Sequence, residues 1–306
     1  TVSGPGRLCV IEADESDGTC VTYQPTLGVL TGLARDHKEA EELRALYAQF
    51  AGRVQGTLVV NADDPAVNPL AQNRDALTYG FAPEARVRAE DVALGPGGSF
   101  FRVGKTAYRL PLIGLHNVHN ALAALAVARA LGVEAAGRDA LAAFRGVERR
   151  MERIPAAAPV YDDFAHNPSK IAAAVSAARD GGARRVLAMF QLHGYGPARF
   201  MRQELERSLA LTLGPDDRMW LLPIYYVGGT ASRDITAEDI AAAAARHGAP
   251  VSFSTRDTVT GRIVEAWRPG DAVVVMGARD DTLTDLARHI ARALEPRAQT
   301  LAQAEP

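Results

Sequence analysis

Short apolar runs rich in β-branched residues alternate along the chain with longer segments whose apolar positions recur at helical spacing. In the first half, three of these runs predict buried strands at residues 8–12, 28–31 and 57–61. A predicted helix at residues 39–53 separates the second strand from the third. Alternation of strands and helices in this order favours a parallel sheet that is covered by helices.

The pattern changes between residues 77 and 112, where the apolar runs become shorter and surround a Gly-Pro-Gly-Gly turn at residues 95–98. Three short strands are predicted there, at residues 87–89, 100–103 and 107–110. We therefore predict a small antiparallel insert. An Ala-rich helix follows at residues 117–131, and a second helix runs from about residue 136 to residue 144.

A stretch that ends in Ala-Pro-rich sequence, residues 146–159, precedes a second series of alternating strands and helices. We place a domain boundary there, with a first domain at residues 1–148 and a second at residues 149–306. The predicted elements of the second domain are strand 160–161, helix 168–180, strand 185–190, helix 200–211, strand 219–223, helix 236–246, strand 251–253, helix 257–267, strand 272–276 and helix 281–294. Their order predicts a doubly wound, Rossmann-like domain, and the fold class is α/β.

The composition is that of a soluble globular protein, with 47% hydrophobic and 23% charged residues and a net charge of -2. This balance gives no sign of a nucleic-acid or membrane partner. Two cysteines, Cys9 and Cys20, are too few for a disulfide framework, which fits a reducing, cytoplasmic setting. The chain begins at Thr1 and runs within a few residues into an expected buried strand, so we interpret it as a chain cut inside a domain.

Two polar segments follow predicted strands of the first domain. Residues 12–18 place four carboxylates within six positions, which at the end of a strand favours a hard cation such as Mg²⁺. A solvated acidic loop explains the same pattern equally well. In residues 31–37, His37 beside Asp36 is typical of a metal ligand or a general base. The alternative is a surface turn in which Asp36 caps the next helix.

Two further segments carry groups that suit a nucleotide. Asn117 and Asn120 lie one turn apart at the start of a helix, where they can bind a base or a phosphate, or simply form a polar first turn. Arg150 suits a phosphate, and Asp163 at a strand end suits a ribose. An interdomain salt bridge and a helix cap are the alternatives. The Gly-Lys-Thr at residues 104–106 lies between two short strands, so we exclude it as a phosphate-binding loop.

Taken in order, these segments resemble the Mur ligase family over about residues 8–294. The segments that carry the resemblance are EADESDG at 12–18, GVLTGLARDH at 28–37, VNADDP at 60–65, GLHNVHNALAALA at 114–126, RRMER at 149–153, VYDDFAHNP at 160–168, FQLHGY at 190–195 and MGARD at 276–280. Each segment alone is weak, but the ordered set is specific. The similarity is strongest to members that use UDP-N-acetylmuramate directly.

The resemblance implies a central ATPase-like domain followed by a Rossmann-like domain, and a cytoplasmic enzyme of peptidoglycan synthesis. Such a ligase joins an amino acid or peptide to the carboxylate of UDP-N-acetylmuramate through an acyl phosphate, with ATP and Mg²⁺ as cofactors. By resemblance, Glu15 and His37 hold the metal. Asn117 and Asn120 match asparagines on the adenine side of the nucleotide.

Three further positions match by resemblance. Arg150 and Asp163 correspond to nucleotide contacts, and Arg150 is also expected to act in catalysis. His166 falls where the family places a catalytic residue that faces the acyl phosphate and the incoming amine. The family's phosphate-binding loop and UDP-sugar domain precede the segment at residues 12–18, so we expect this chain alone not to turn over ATP.

The chain departs from the family in the segment expected to grip the acceptor's carboxylate. Gly194 and Pro197 stand where two arginines are expected, and Arg199 lies two residues further on as a replacement candidate. The identity of the amino acid or peptide acceptor is therefore open. Two alternative functions stay open as well: a degenerate or regulatory binding module without catalysis, and another amide ligase of the same superfamily.

Overall fold

The computed structural model describes residues 6, 8–15, 17–33, 39–72, 75–226, 228, 230 and 232–304. The chain divides into two compact units, Thr1–Arg88 with Leu122–Glu134, and Ala89–Ala121 with Ala135–Pro306. Both units combine strands and helices, so the predicted α/β class is confirmed. The domain boundary between residues 148 and 149 stays a prediction. None of the described helices has the length and apolar content that a membrane-spanning segment needs.

A parallel sheet organises the first unit. Its elements are β1 (Leu27–Leu30), α1 (Ala40–Arg53), β2 (Thr57–Asn61), β3 (Leu77–Gly80) and the start of β4 (Val87–Gly95). The strands pair in that order, and all the pairs within this unit are parallel. Apolar residues of β2 and α1, including Leu58, Val60 and Phe50, form the core of the unit. Strand β4 and the later helix α2 (Leu115–Ala130) contribute residues to both units.

The strand predicted at residues 8–12 is wrong. These residues form no strand, and Leu8, Val10 and Ile11 are 69%, 92% and 57% exposed. An apolar run becomes a strand only where a neighbouring strand takes up its backbone hydrogen bonds. Among the described residues, β1 lies at the edge of its sheet and pairs only with β2. The acidic segment at residues 12–18 therefore does not follow a strand in this structure.

The second unit begins with the predicted antiparallel insert. The remainder of β4 pairs with β5 (Gly98–Val103), which pairs with β6 (Thr106–Leu110), and both pairs are antiparallel. Gly104 makes the turn between β5 and β6 with a φ of 57°, which glycine adopts at little cost. The Gly-Lys-Thr segment thus lies at a hairpin turn between two strands. Helices α2 and α3 (Glu134–Ala143) follow.

A six-stranded sheet forms the body of the second unit. Its elements are β7 (Glu152–Ile154), β8 (Val160–Asp163), α4 (Pro168–Asp180), β9 (Arg185–Gln191), α5 (Tyr195–Thr212), β10 (Arg218–Leu222), α6 (Ala237–Arg246), β11 (Val251–Phe253), α7 (Arg256–Ala266), β12 (Asp271–Gly277) and α8 (Leu283–Ala304). The strand order is β11-β10-β9-β12-β8-β7, and only the β7–β8 pair is antiparallel.

Helices cover both faces of this sheet. Every residue of the central strand β12 is buried. Val274 packs into a core with α4, α5 and α6, whereas Val273 and Val275 pack with α7 and α8 on the other face. Successive side chains of a strand point to opposite faces, so a strand with helices on both sides becomes a continuous apolar run. The predicted doubly wound architecture is therefore confirmed.

Two elements near the carboxyl edge of this sheet differ from the prediction. Helix α5 begins at Tyr195 instead of residue 200, directly after Gly194. Strand β7 was missed because residues 146–159 were interpreted as a break. It has three residues and exists through antiparallel pairing with β8, which no local pattern signals.

The first prediction concerns the start of α6. Thr236 Oγ1 accepts a hydrogen bond from the Asp239 amide, while Asp239 Oδ2 accepts one from the Thr236 amide, which is a capping box. Changing Thr236→Ala removes the acceptor for an otherwise unpaired helix amide, so we expect the free energy of unfolding to fall by about 1 kcal/mol.

Urea denaturation followed by tryptophan fluorescence measures this change, because both tryptophans, Trp220 and Trp267, lie in the second unit. Ser252→Ala is the matched control, since it removes an exposed hydroxyl from β11 and is expected to change stability by less than about 0.5 kcal/mol. Equal effects of the two changes would contradict the role of the capping box.

Candidate functional site

Polar side chains at the carboxyl ends of β1 and β2 hold the loops of the first unit. Asn61 Nδ2 donates to the Thr31 carbonyl at 2.8 Å. Asp64 Oδ2 accepts from the Leu33 amide at 2.8 Å, and its Oδ1 accepts from the Ala66 amide at 2.7 Å. These side chains of the segment at residues 60–65 therefore fix the backbone that follows β1.

Glu15 lies close to Tyr47 of α1 and to Cys20. Burial raises the pKa of Tyr47 to about 12, and the Glu15 carboxylate adds to the shift. Burial also raises the pKa of the Cys20 thiol, again with Glu15 as the next largest cause. A nearby carboxylate disfavours the negatively charged forms of a tyrosine and a cysteine, so its effect on both pKa values indicates that Glu15 is close to both side chains.

The proposed partner of Glu15, His37, lies outside the described residues, so the pairing of the two as metal ligands stays a prediction. Asp36 lies outside them as well. Helix α1 has Glu39 at its N-cap position, without a side-chain cap of its own, and the alternative in which Asp36 caps this helix stays a prediction. Within the part of the chain that the structure describes, no three His, Cys, Asp or Glu side chains are grouped to hold a metal.

In the second unit, Asp163 organises the loop after β8. Its Oδ1 accepts a hydrogen bond from the Ala165 amide and its Oδ2 one from the Met151 amide, each at 2.7 Å. Burial raises the pKa of this carboxyl, and the two amide bonds oppose the shift. The same carboxylate therefore ties the loop after β8 to the segment that precedes β7.

His166 lies at the end of this loop, in a buried position. Its Nδ1 is 2.9 Å from the Phe164 carbonyl, and its Nε2 is 3.2 Å from Lys170 Nζ. The ring of His193, from the segment after β9, packs edge-on against it with 5.0 Å between centroids. The ends of β8 and β9 thus bring two histidines and a lysine into one cluster.

Two consecutive arginines before β7 differ in burial and in hydrogen-bond partners. Arg149 has a left-handed backbone with a φ of 56°. Its Nη2 donates to the Gly277 carbonyl at 2.6 Å, and its Nε is 3.5 Å from Asp162 Oδ2. Arg150 remains exposed. The guanidinium carbons of both lie over the Phe164 ring, at 5.1 and 5.3 Å from its centroid.

The Arg149–Asp162 pair was not identified from the sequence. Asp162 is completely buried on β8, and Thr284 donates to its Oδ2 at 2.6 Å. Burial raises the pKa of Asp162, although Thr284 and Arg149 oppose the shift. A charged residue inside a buried strand was the available signal, because such a group requires a partner. The partner lies beyond β7, so spacing did not reveal it.

The asparagines predicted on the adenine side lie on the first turns of α2. Asn117 is buried, and its Nδ2 donates to the Ile113 carbonyl at 2.8 Å, which supports the start of the helix. Asn120 is exposed one turn further on. The hydrogen bond of Asn117 fits a structural role in the first turn of the helix. Asn120 is the more accessible of the two for a nucleotide.

The start of α2 lies close to Arg150 within the second unit. Burial lowers the pKa of His116, the Asp180 carboxylate opposes this, and the charge of Arg150 lowers it further. The Leu115 amide also donates to Asp180 Oδ2 at 3.3 Å. The structure thus brings the first turn of α2, the end of α4 and Arg150 together.

Arg199, the replacement candidate for the acceptor site, is occupied elsewhere. Its guanidinium forms an ion pair with Asp234 and donates to the Ser232 carbonyl at 2.9 Å. Gly194, at the N-cap of α5, has a φ of 120°, a conformation that favours glycine. A role of Arg199 in binding the acceptor stays a prediction.

Comparison with known proteins identifies the family of the chain. The family model of the Mur ligase middle domain matches residues 6–128. The model described as Mur ligase, glutamate ligase domain, matches residues 149–279. The chain belongs to the Mur ligase family. The residues of the loop after β8, with Arg150, all lie in the second of these matches.

Relatives and solved structures extend this Mur ligase assignment. The UDP-N-acetylmuramate–L-alanine ligase of Maricaulis maris is 33% identical over 303 residues, covering 92% of this chain and 64% of that protein. The chain therefore spans less than two thirds of this relative's length. The ligase MurC of Thermotoga maritima has a TM-score of 0.66 and 21% identity, covering 94% of this chain and 63% of that chain.

A third comparison is with the Thermotoga maritima MurF ligase in complex with ADP, which has a TM-score of 0.67 and 16% identity. It covers 91% of this chain and 64% of that chain. At this level of identity the likeness shows a shared fold. The expected architecture, a Mur ligase middle domain followed by a C-terminal domain, is thereby confirmed.

The second prediction concerns the carboxyl that organises the loop after β8. Because burial raises the pKa of Asp163, the folded protein binds this proton more tightly than the unfolded chain does. Its contribution to the free energy of unfolding therefore falls as pH rises from the ordinary value of 3.8 through the raised pKa. Asp163→Asn abolishes this titration.

Urea denaturation of both proteins, followed by tryptophan fluorescence, tests the expectation between about pH 3.5 and about pH 7. The stability of the wild type minus that of the variant is expected to decrease with rising pH and then to level off. Taking the difference cancels the titration of the other carboxyls. A difference that stays constant over the whole range would show that the pKa of Asp163 is not raised.

Proposed function

We propose that the full-length protein is an ATP-dependent ligase that joins an amino acid or a peptide to the carboxylate of UDP-N-acetylmuramate. The observation that supports this most is the loop after β8, where Phe164 contacts both His166 and the exposed Arg150, in a chain 33% identical to such a ligase. The reaction activates the carboxylate as an acyl phosphate, which the amine of the acceptor then attacks.

Nucleotide binding is proposed for four side chains of the second unit. Arg150 offers a planar, permanently charged fork for phosphate oxygens. Asp163 is held at a strand end and offers the remaining lone pairs of its carboxylate to a ribose hydroxyl. Asn117 and Asn120 are proposed on the adenine side, and the exposure of Asn120 supports this more directly than the buried position of Asn117.

Catalysis is proposed to depend on fixed positive charge and on hydrogen-bond donors. Transfer of a phosphoryl group needs little covalent help from the protein and much electrostatic stabilisation. Arg150 would supply charge to the transferring group. His166 would face the acyl phosphate and the incoming amine, held in place by the Phe164 carbonyl and Lys170.

Mg²⁺ is proposed to bind through Glu15 and His37. The donor chemistry at Glu15 fits this ion, since Mg²⁺ prefers oxygen ligands and usually takes only one or two protein carboxylates beside phosphate oxygens. The Glu15 carboxylate lies close to Tyr47 of α1 and to Cys20, which leaves its oxygens as the candidate ligands. The ion would neutralise charge on the phosphates when bound.

A non-catalytic binding module is the second candidate function. Gly194 and Pro197 stand where the resemblance places two arginines, and Arg199 is paired with Asp234. Loss of the groups that hold an acceptor favours a protein that binds nucleotide without ligation. An activity test of the full-length protein distinguishes the two functions.

That test is the third prediction. The full-length protein is incubated with ATP, Mg²⁺, UDP-N-acetylmuramate and, in separate reactions, L-alanine, L-serine, glycine or a murein tripeptide, and phosphate release is measured. We expect release with at least one acceptor, and none when Mg²⁺ or UDP-N-acetylmuramate is omitted. Absence of release with all four acceptors, combined with measurable ATP binding, would favour the binding module.

The fourth prediction compares two arginines that both lie over aromatic rings. Arg150→Met is expected to lower kcat/KM for ATP by about tenfold or more, because it removes a charged hydrogen-bond donor to phosphate. Arg153→Met is the matched control. Arg153 lies on β7, and its guanidinium carbon is 5.8 Å from the centroid of the Tyr161 ring. Equal kinetic constants for the two variants would remove Arg150 from the proposed site.

A further inference from the structure

The hydrogen bonds of His166 fix the orientation of its ring within the histidine–lysine cluster. The Phe164 carbonyl can only accept a hydrogen bond, so Nδ1, at 2.9 Å, is the donor. The Lys170 ammonium can only donate, so Nε2, at 3.2 Å, is the acceptor. The cluster therefore presents the Lys170 ammonium beside a histidine ring whose two nitrogens are both hydrogen-bonded.

A second donor lies on the same turn of α4. Asn167 is the N-cap residue, and its Oδ1 accepts from the Lys170 amide and from Ser169 Oγ, each at 3.0 Å. This orientation assigns the other end of the carboxamide, Nδ2, as a donor. Asn167 is 1% exposed, and its Nδ2 has no hydrogen-bond partner among the residues that the structure describes.

A buried donor without a partner destabilises the folded protein, because it has lost its hydrogen bonds to water. Such a group is retained where a ligand completes the hydrogen bond. The ligand here must accept hydrogen bonds and carry negative charge, because an ammonium and the N-terminal amides of the 13-residue helix α4 lie beside the donor. An oxyanion meets both conditions.

We propose that Lys170 Nζ and Asn167 Nδ2 bind an oxyanion of the ligation substrates at the N-terminus of α4. The inference rests on the proposed function, which supplies two sources of this chemistry: the carboxylate of the incoming amino acid and the phosphoryl group of the acyl phosphate. The position of His193 against His166 places the site beside the segment after β9. That segment has Gly194 and Pro197 where the resemblance places two arginines, and Lys170 of α4 supplies a cation beside it.

The fifth prediction uses three variants of the full-length protein. Lys170→Met removes the ammonium. Asn167→Asp keeps the oxygen that caps α4 but replaces the Nδ2 donor with a second acceptor, so the helix start is preserved. Lys105→Met is the matched control, because Lys105 is an exposed lysine in the turn between β5 and β6. Thermal unfolding of each variant checks that it is folded.

Steady-state kinetics with L-alanine and with L-alaninamide distinguish the two sources, and isothermal titration with inorganic phosphate gives a measurement that needs no turnover. If the oxyanion is the acceptor's carboxylate, Lys170→Met and Asn167→Asp raise KM for L-alanine about tenfold or more and leave KM for L-alaninamide unchanged. If it is the phosphoryl group, both variants lower kcat for both acceptors and weaken phosphate binding by a similar factor.

Unchanged kinetic constants and unchanged phosphate affinity in both folded variants would overturn the proposal. Lys170→Arg is expected to recover part of the lost affinity, because it retains the charge. Absence of turnover in the wild type would count against the proposed ligase. In that case the phosphate titration still tests the oxyanion site, so the two failures are distinguishable.

Discussion

The candidate site depends on one buried carboxylate, Asp163, which accepts hydrogen bonds from two backbone amides on different segments. One amide belongs to Met151, next to Arg150, and the other to Ala165, next to His166. The arginine and the histidine therefore take their positions from a single side chain at the end of β8. Burial of this carboxylate carries an energetic cost, which the two amide bonds offset in part.

Asp162 and Asp163, at the end of β8, have different hydrogen-bond partners. Asp162 points to the α8 side, where Thr284 and Arg149 meet it. Because Arg149 turns inward to reach Asp162 and the Gly277 carbonyl, the adjacent Arg150 is left at the surface. A buried ion pair and an exposed arginine therefore lie side by side before β7.

Much of the fold was predictable because its signals are local. Helix α4 and strand β11 have the predicted bounds, and apolar periodicity identified the strands that are buried on both faces. The failures share a cause. Strand β7 exists through pairing with β8, and residues 8–12 are apolar without a described neighbour to pair with. Strand formation requires a partner that the local sequence does not specify.

For this protein, the sequence alone determined the α/β class, the order of most elements and the membership of the Mur ligase family. The tertiary structure decided how the polar groups are used. The orientation of the His166 ring follows from its contacts with Phe164 and Lys170, and the inward turn of Arg149 follows from a carbonyl 128 residues away. Hydrogen-bond partners at strand ends come from distant segments, so only the folded chain specifies them.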